Sequence, residues 1–204
     1  MYSFSRYLAA KQTVDDRALN ELVWAGLRAA LPAGPLDVLE IGAGTGTMLD
    51  RLTRRGLLAA GGRYTAIDAD AGNIAEAERR LAGRSLPVVL ELEAADVFAF
   101  ARREQGRRVW DLLVAHAFLD LVDTQRLLPD LFALLRPGGL FYFTINFDGL
   151  TALEPPIDPE FDELVIALYH RTMDERLAGG RPAGDSRSGR RLLWQLPAAG
   201  AEIL

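Results

Sequence analysis

Short apolar runs and stretches of helical periodicity alternate along most of the chain. The first helical pattern opens at residues 13–16, where a threonine stands three residues before an acid and can satisfy the free amides of a first turn. Leu19, Leu22, Val23, Leu27 and Leu31 continue it, and Pro32 ends it. Residues 36–41 form an apolar run of strand length that stops at glycines. The pattern then predicts a helix over 48–55, a strand over 63–67, a helix over 74–81 stopped by Gly83, and a strand over 88–92. A short helix over 97–103, a strand over 110–115, a helix over 127–135 with Pro129 in its first turn, a turn at 137–139 and a strand over 140–147 follow. Such β-α alternation predicts an α/β fold, a parallel sheet with helices on both faces. These sheets take ligands at the carboxyl ends of their strands, where the strand order reverses.

The remainder reads differently. Glu154, Pro155 and Pro156 break the alternation, and residues 158–177 predict one long helix carrying Phe161, Leu164, Val165 and Leu168 on one face. Residues 178–189 read as a loop, 190–199 as a helix and 201–204 as the start of a strand. The expected organisation is an N-terminal helical cap (1–35), a core (36–147) and a C-terminal helical or lid segment (148–204), all within one domain.

Composition narrows the functions. The 204 residues carry a net charge of −5, with basic residues in scattered pairs such as Arg54 and Arg55 rather than one basic stripe, which argues against nucleic acid. With no cysteine, disulfides, thiolate metal sites and a cysteine nucleophile are excluded, and two histidines make no metal site, so no metal is expected. No run approaches the roughly 20 apolar residues of a membrane span, nor does a signal-like run open the chain; a cytoplasmic protein is expected. A single lysine among many arginines reads as compositional bias.

The most specific signal is VLEIGAGTG at 38–46. Gly42, Gly44 and Gly46 fall on a strand-to-helix turn, where missing side chains let the backbone approach a ligand and helix amides can bind polar groups. A nicotinamide fingerprint starting at Gly42 needs glycine or alanine at 47, where Thr47 stands, and an apolar residue where Glu40 stands. An acid followed by G-x-G-x-G instead resembles motif I of the class I S-adenosylmethionine-dependent methyltransferases. Other family features follow in order over 36–147: Asp68 with Ala69 after the second strand, Asp96 and Val97 after the third, WDLLVA ending at Ala115, and LRPGG at 135–139.

The resemblance implies a Rossmann-like sandwich with strand order 3-2-1-4-5 and S-adenosylmethionine as cofactor. It places Glu40 near the methionine portion and lines the cofactor with Gly42, Ala43, Gly44 and Gly46. It gives Asp68 the ribose hydroxyls in a bidentate contact, Asp96 the adenine amino group, and Val97 the adenine ring. Asp70 reads as a helix cap, and a cap is also the other reading of Asp96. His116, after the fourth strand, is the candidate general base; its other reading is a structural hydrogen bond. Enzymes of this family that methylate exocyclic amines of bases carry Asn/Asp-Pro-Pro-aromatic there, and this chain has Ala115-His116-Ala117-Phe118, so a small-molecule acceptor is expected.

Two flanking segments complete the expected pocket: an N-terminal lid over 2–12 with Tyr7 and Lys11 on one helix face, and the long helix carrying Tyr169, His170 and Met173. On that helix His170 and Asp174 stand one turn apart as a candidate charged pair; the alternative is an exposed amphipathic helix. A full family sheet has seven strands, and the chain stops where the sixth would run. Strands six and seven are therefore expected to be incomplete or missing, by truncation, leaving the fifth as an open apolar edge for aggregation or for pairing as a homodimer. The function implied is in-line methyl transfer to an oxygen or nitrogen; the alternatives are another group transfer on the same cofactor and a non-catalytic cofactor-binding module.

Overall fold

The computed structural model describes residues 4–204. Tyr2, in the expected lid, lies outside the described residues. The chain divides into two compact units, the larger made of residues up to His116 with Asp130–Ile145 and Leu204, the smaller of Ala117–Pro129 with Asn146–Ile203.

The larger unit contains α1 (Phe4–Ala18), α2 (Glu21–Ala30), β1 (Asp37–Ile41), α3 (Thr47–Arg54), β2 (Gly62–Asp68), α4 (Ala71–Leu81), β3 (Val88–Ala94), α5 (Val97–Glu104) and β4 (Trp110–His116). Helix α6 (Thr124–Phe132) leads from the smaller unit back into the larger, where β5 (Leu135–Thr144) follows. The five strands are parallel in the order β3-β2-β1-β4-β5, as expected. The order reverses between β1 and β4, which opens a crevice at their carboxyl ends.

Register decides what faces what. Tyr64, Val38, Leu112 and Leu140 share one rung; Ala66, Glu40, Val114 and Tyr142 share the next rung but one and therefore the same face. That face packs against Trp24 and Leu27 of α2 and Met48, Leu49 and Leu52 of α3 in a buried core. Continuing two residues along each strand brings Asp68, Gly42, His116 and Thr144 to the carboxyl rim of that same face.

Four sequence expectations need correction. Residues 13–16 are not a helix start but lie within α1; the start is Asn20, whose side chain accepts from the Leu22 amide at 2.8 Å and caps α2. Helix α6 begins three residues before 127 because Asp123 accepts from the Arg126 amide at 3.2 Å, which moves Pro129 into the second turn. The 137–139 turn is a bulge inside β5: Leu135 pairs with Trp110 and Leu140 with Leu112. Strand β5 then ends at Thr144, before Ile145 at φ 52°.

In the smaller unit, α7 (Pro159–Asp174) is capped by Asp158 and followed by a two-residue hairpin, β6 (Leu177–Ala178) with β7 (Arg181–Pro182), inside what reads as loop. Helix α8 (Ser188–Ala198) ends at Gly200, φ 88°, with the Ala201 amide donating to the Leu196 carbonyl at 3.0 Å. This cap takes residues 201–204 out of the expected strand.

Candidate functional site

The glycine turn is built by backbone shape and held by one carboxylate. Gly42, Gly44 and Gly46 have φ of 64°, 54° and 75°, a left-handed conformation in which a side chain is strained. Asp68 Oδ2 accepts from the Gly44 amide at 2.8 Å, while Oδ1 accepts from the Asp70 amide at 2.9 Å and from Asn73 Nδ2 at 3.1 Å. The Ala43 amide donates to the Ile67 carbonyl at 2.9 Å, and Arg80 binds the Thr45 carbonyl at 2.9 Å while pairing with Asp50. The turn is thus stitched to the end of β2 and to α4 before any ligand arrives.

Beneath it, Glu40 is buried and its Oε2 accepts from the Tyr64 hydroxyl at 2.7 Å. Loss of water pushes its carboxyl up to about 8, against the opposing pull of Tyr64 and Arg51. Arg51 is 3% exposed; Nε donates to Asp16 at 2.5 Å and Nη1 to Thr47 Oγ1 at 3.2 Å. Its Nη2 is buried with no hydrogen-bond partner among the described residues.

His116 sits at the rim across β1 from Asp68, two strand spacings or about 10 Å away. Both ring nitrogens are engaged: Nδ1 with Thr144 Oγ1 at 2.8 Å and Nε2 with Asp15 Oδ2 at 3.3 Å. Burial first, then the charge of Arg51, pushes the imidazole down to about 4 despite the neighbouring Asp15. The ring is therefore neutral near pH 7.

The other expected site residues fall as follows. Asp70 caps α4 through the Gly72 amide at 2.7 Å, as read. Asp96 is exposed and caps α5 through the Ala99 amide at 2.9 Å, while Val97 is buried in the first turn. Ala69 is exposed at the rim; Ala115 is fully buried and faces away from His116. Lys11 meets the site through Asp15, at 3.5 Å, and Tyr7 is half-exposed one turn earlier. In the smaller unit the rings of Tyr169 and His170 lie against Phe147, and Met173 is buried. The expected His170–Asp174 pair does not form: Asp174 instead accepts from the Ser186 amide at 2.7 Å and its hydroxyl at 3.1 Å.

Sequence reading missed Asp15, Arg51, Tyr64 and Thr144. Strand parity was a usable signal for Tyr64 and Thr144, which share a sheet face with Glu40 and His116. Nothing local marks Asp15.

The residues present fit S-adenosylmethionine. A glycine turn, a rim carboxylate with one lone pair to spare for ribose, and a buried cation with an orphaned N–H beside a buried acid suit a nucleoside joined to an amino acid. Among the described residues, no group of three or more His, Asp or Glu is placed to hold a metal.

Comparison with known proteins agrees. The family described as "Methyltransferase domain" matches residues 39–141. Solved structures share the fold: an O-methyltransferase family protein from Burkholderia thailandensis (TM-score 0.62, 16% identity, covering 98% of this chain and 54% of that one). Others are the cyclopropane synthase MmaA2 from Mycobacterium tuberculosis (0.59, 15%, 85% and 57%) and an S-adenosylmethionine-dependent methyltransferase from Clostridium acetobutylicum (0.50, 16%, 69% and 56%). This chain thus spans about half the length of these solved proteins. No curated protein matches it in sequence. The family match runs from β1 into β5 and takes in half of the chain, so the chain belongs to the methyltransferase domain family, whose cofactor is S-adenosylmethionine.

Proposed function

We propose that this chain transfers a methyl group from S-adenosylmethionine to an oxygen or nitrogen of a small molecule. The observation that carries the reading is the shared rim: the glycine turn opens at the end of β1, with Asp68 on one side and His116 and Thr144 on the other, on one sheet face. A cofactor whose ribose is held at Asp68 extends across β1 toward His116.

Glu40, Gly42, Ala43, Gly44, Gly46, Asp68, Ala69 and Ala115 are the cofactor residues in this reading, with Asp96 and Val97 on the adenine side. The cofactor supplies a methyl group on a positive sulfonium, with a neutral thioether as leaving group. The protein's task is alignment, which can contribute effective molarities of about 10⁵–10⁸ M. His116, neutral near pH 7, takes the acceptor's proton where one must leave. Ala115-His116-Ala117-Phe118 in place of a base-methylating motif, and the net charge of −5, support a small-molecule acceptor.

Titration calorimetry with S-adenosylhomocysteine tests the cofactor assignment, and incubation with methyl-labelled S-adenosylmethionine and a panel of small phenols and amines tests the transfer. Micromolar binding and labelled small-molecule product are expected. A folded chain that binds no S-adenosylhomocysteine would overturn the proposal.

A further inference from the structure

The rim below His116 is apolar on its face: Val114, Leu112 and Val38 are fully buried. At its carboxyl end a second polar group, beyond the Glu40–Tyr64 pair, runs Lys11, Asp15, His116, Thr144, with Asp15 buried and the others part-buried. Asp15 is 8% exposed, and its carboxylate has left water for a contact with a ring 101 residues away. Burying an acid and an imidazole costs free energy that well-packed apolar side chains would not, so packing alone does not explain them. Helix α1 is laid to make this contact. Leu8 lies beside Gly44, and seven residues on, at helical spacing, Asp15 meets His116.

The contact also sets the tautomer. An ionised carboxylate only accepts, so the proton of the neutral ring sits on Nε2 and points at Asp15. Nδ1 is then the lone pair, and it accepts from the Thr144 hydroxyl. We infer that Asp15 is a positioning residue that fixes His116 as the Nε2–H tautomer and makes Thr144 the point where an acceptor's proton enters. The inference rests on the methyl-transfer reading above.

For a neutral nucleophile that carries an O–H or N–H proton the balance is simple. The acceptor atom takes the methyl group as the C–S bond breaks toward sulfur. Its proton passes to Thr144 Oγ as the Thr144 hydroxyl gives its own to Nδ1. Thr144 ends unchanged, and the positive charge lost from sulfur reappears on the imidazolium, held by Asp15. The charged groups around the ring are Asp15 and Lys11 from α1 and Arg51 from α3. Asp15 alone of these favours the imidazolium.

The chain has two histidines, so a His170→Gln background leaves one ring to observe by nitrogen-proton NMR. The expected result is an Nε2–H tautomer at pH 7 with Nδ1 unprotonated. Asp15→Asn should abolish that preference and move the ring's titration midpoint further down, and Asp15→Glu should restore both. Binding of S-adenosylhomocysteine should stay within about threefold in both variants, less than 1 kcal/mol, showing that α1 and the cofactor turn are intact. An Nδ1–H ring in the parent chain, or a ring unchanged by Asp15→Asn in a variant that still binds, overturns the inference. Failure of the folded parent chain to bind S-adenosylhomocysteine would instead sink the methyl-transfer reading, and the two failures are read from separate measurements.

Discussion

The carboxyl rim of the sheet has two halves, and they are built on different principles. On the β1–β2 side, one carboxylate gathers backbone amides and an amide side chain from residues no more than 24 positions away. On the β4–β5 side, side chains meet across 28 and 101 positions, and no backbone amide takes part in the two contacts of the His116 ring. The first half is a rigid, locally encoded socket. The second depends on tertiary packing of α1 and β5.

The largest expected effect separates the halves directly. Asp68→Ala removes the acceptor of three hydrogen bonds and, with it, the proposed ribose contact. Hydrogen bonds to a charged group are worth about 1.5–3 kcal/mol each, so affinity for S-adenosylhomocysteine should fall about 100-fold or more by calorimetry. His116→Ala should leave that affinity within about threefold. Equal losses in the two variants would mean that the halves are one site and the contrast is wrong.

This division also explains what the sequence disclosed. The strand order, the place of the glycine turn and the capping role of Asp70 were legible because each is written in a few neighbouring residues whose geometry admits little choice, whereas the hold of Asp68 on the turn was not read. The helix boundaries at Asn20 and Asp123 were misread where a cap residue went unrecognised among other polar residues. Asp15 was illegible because its role depends on where α1 lands, which no local pattern states. Arg51 stands unremarked within the helix expected over 48–55, and only its burial beside Glu40 marks it.

Next in size is a backbone effect confined to the socket. Gly46→Ala forces a side chain into φ 75° and sets a Cβ 3.1 Å from Leu81 Cδ1. Gly83→Ala imposes a similar φ of 70° with nothing within 4 Å. The left-handed conformation costs about 1–2 kcal/mol, and crowding adds to it only at Gly46. The melting temperature should fall by about 2–8 °C in both, further at Gly46. Identical shifts would show that Leu81 yields and that the socket is softer than described.

The buried acid and the buried imidazole give opposite pH dependences. Glu40 holds its proton in the folded chain up to about 8 but releases it at an ordinary carboxylate value when unfolded, so stability drains away as pH rises through that interval. His116, pushed down to about 4 from 6.5, loses stability as pH falls between those values. The two slopes oppose each other below about 6.5, and above it, of the pair, Glu40 acts alone. Between pH 6.5 and 8 the chain should lose about 1–2 kcal/mol. Glu40→Gln, which can still accept from Tyr64, should flatten that decline in denaturant titrations at the two pH values. A decline unchanged in the variant would place its source elsewhere.

The smallest effect tests how redundant the socket is. Asn73 is buried and gives Asp68 Oδ1 one of its two partners, the other being the Asp70 amide. Asn73→Ala therefore loosens Asp68 without freeing it, since Gly44 and Asp70 still hold the carboxylate. One net hydrogen bond is worth about 0.5–1.5 kcal/mol, so S-adenosylhomocysteine should bind about 2- to 10-fold more weakly. A loss as large as that of Asp68→Ala would mean that Asn73 alone aims the carboxylate at the ribose. The socket would then hang on single side-chain contacts, as the His116 half does, and local encoding would no longer distinguish the two.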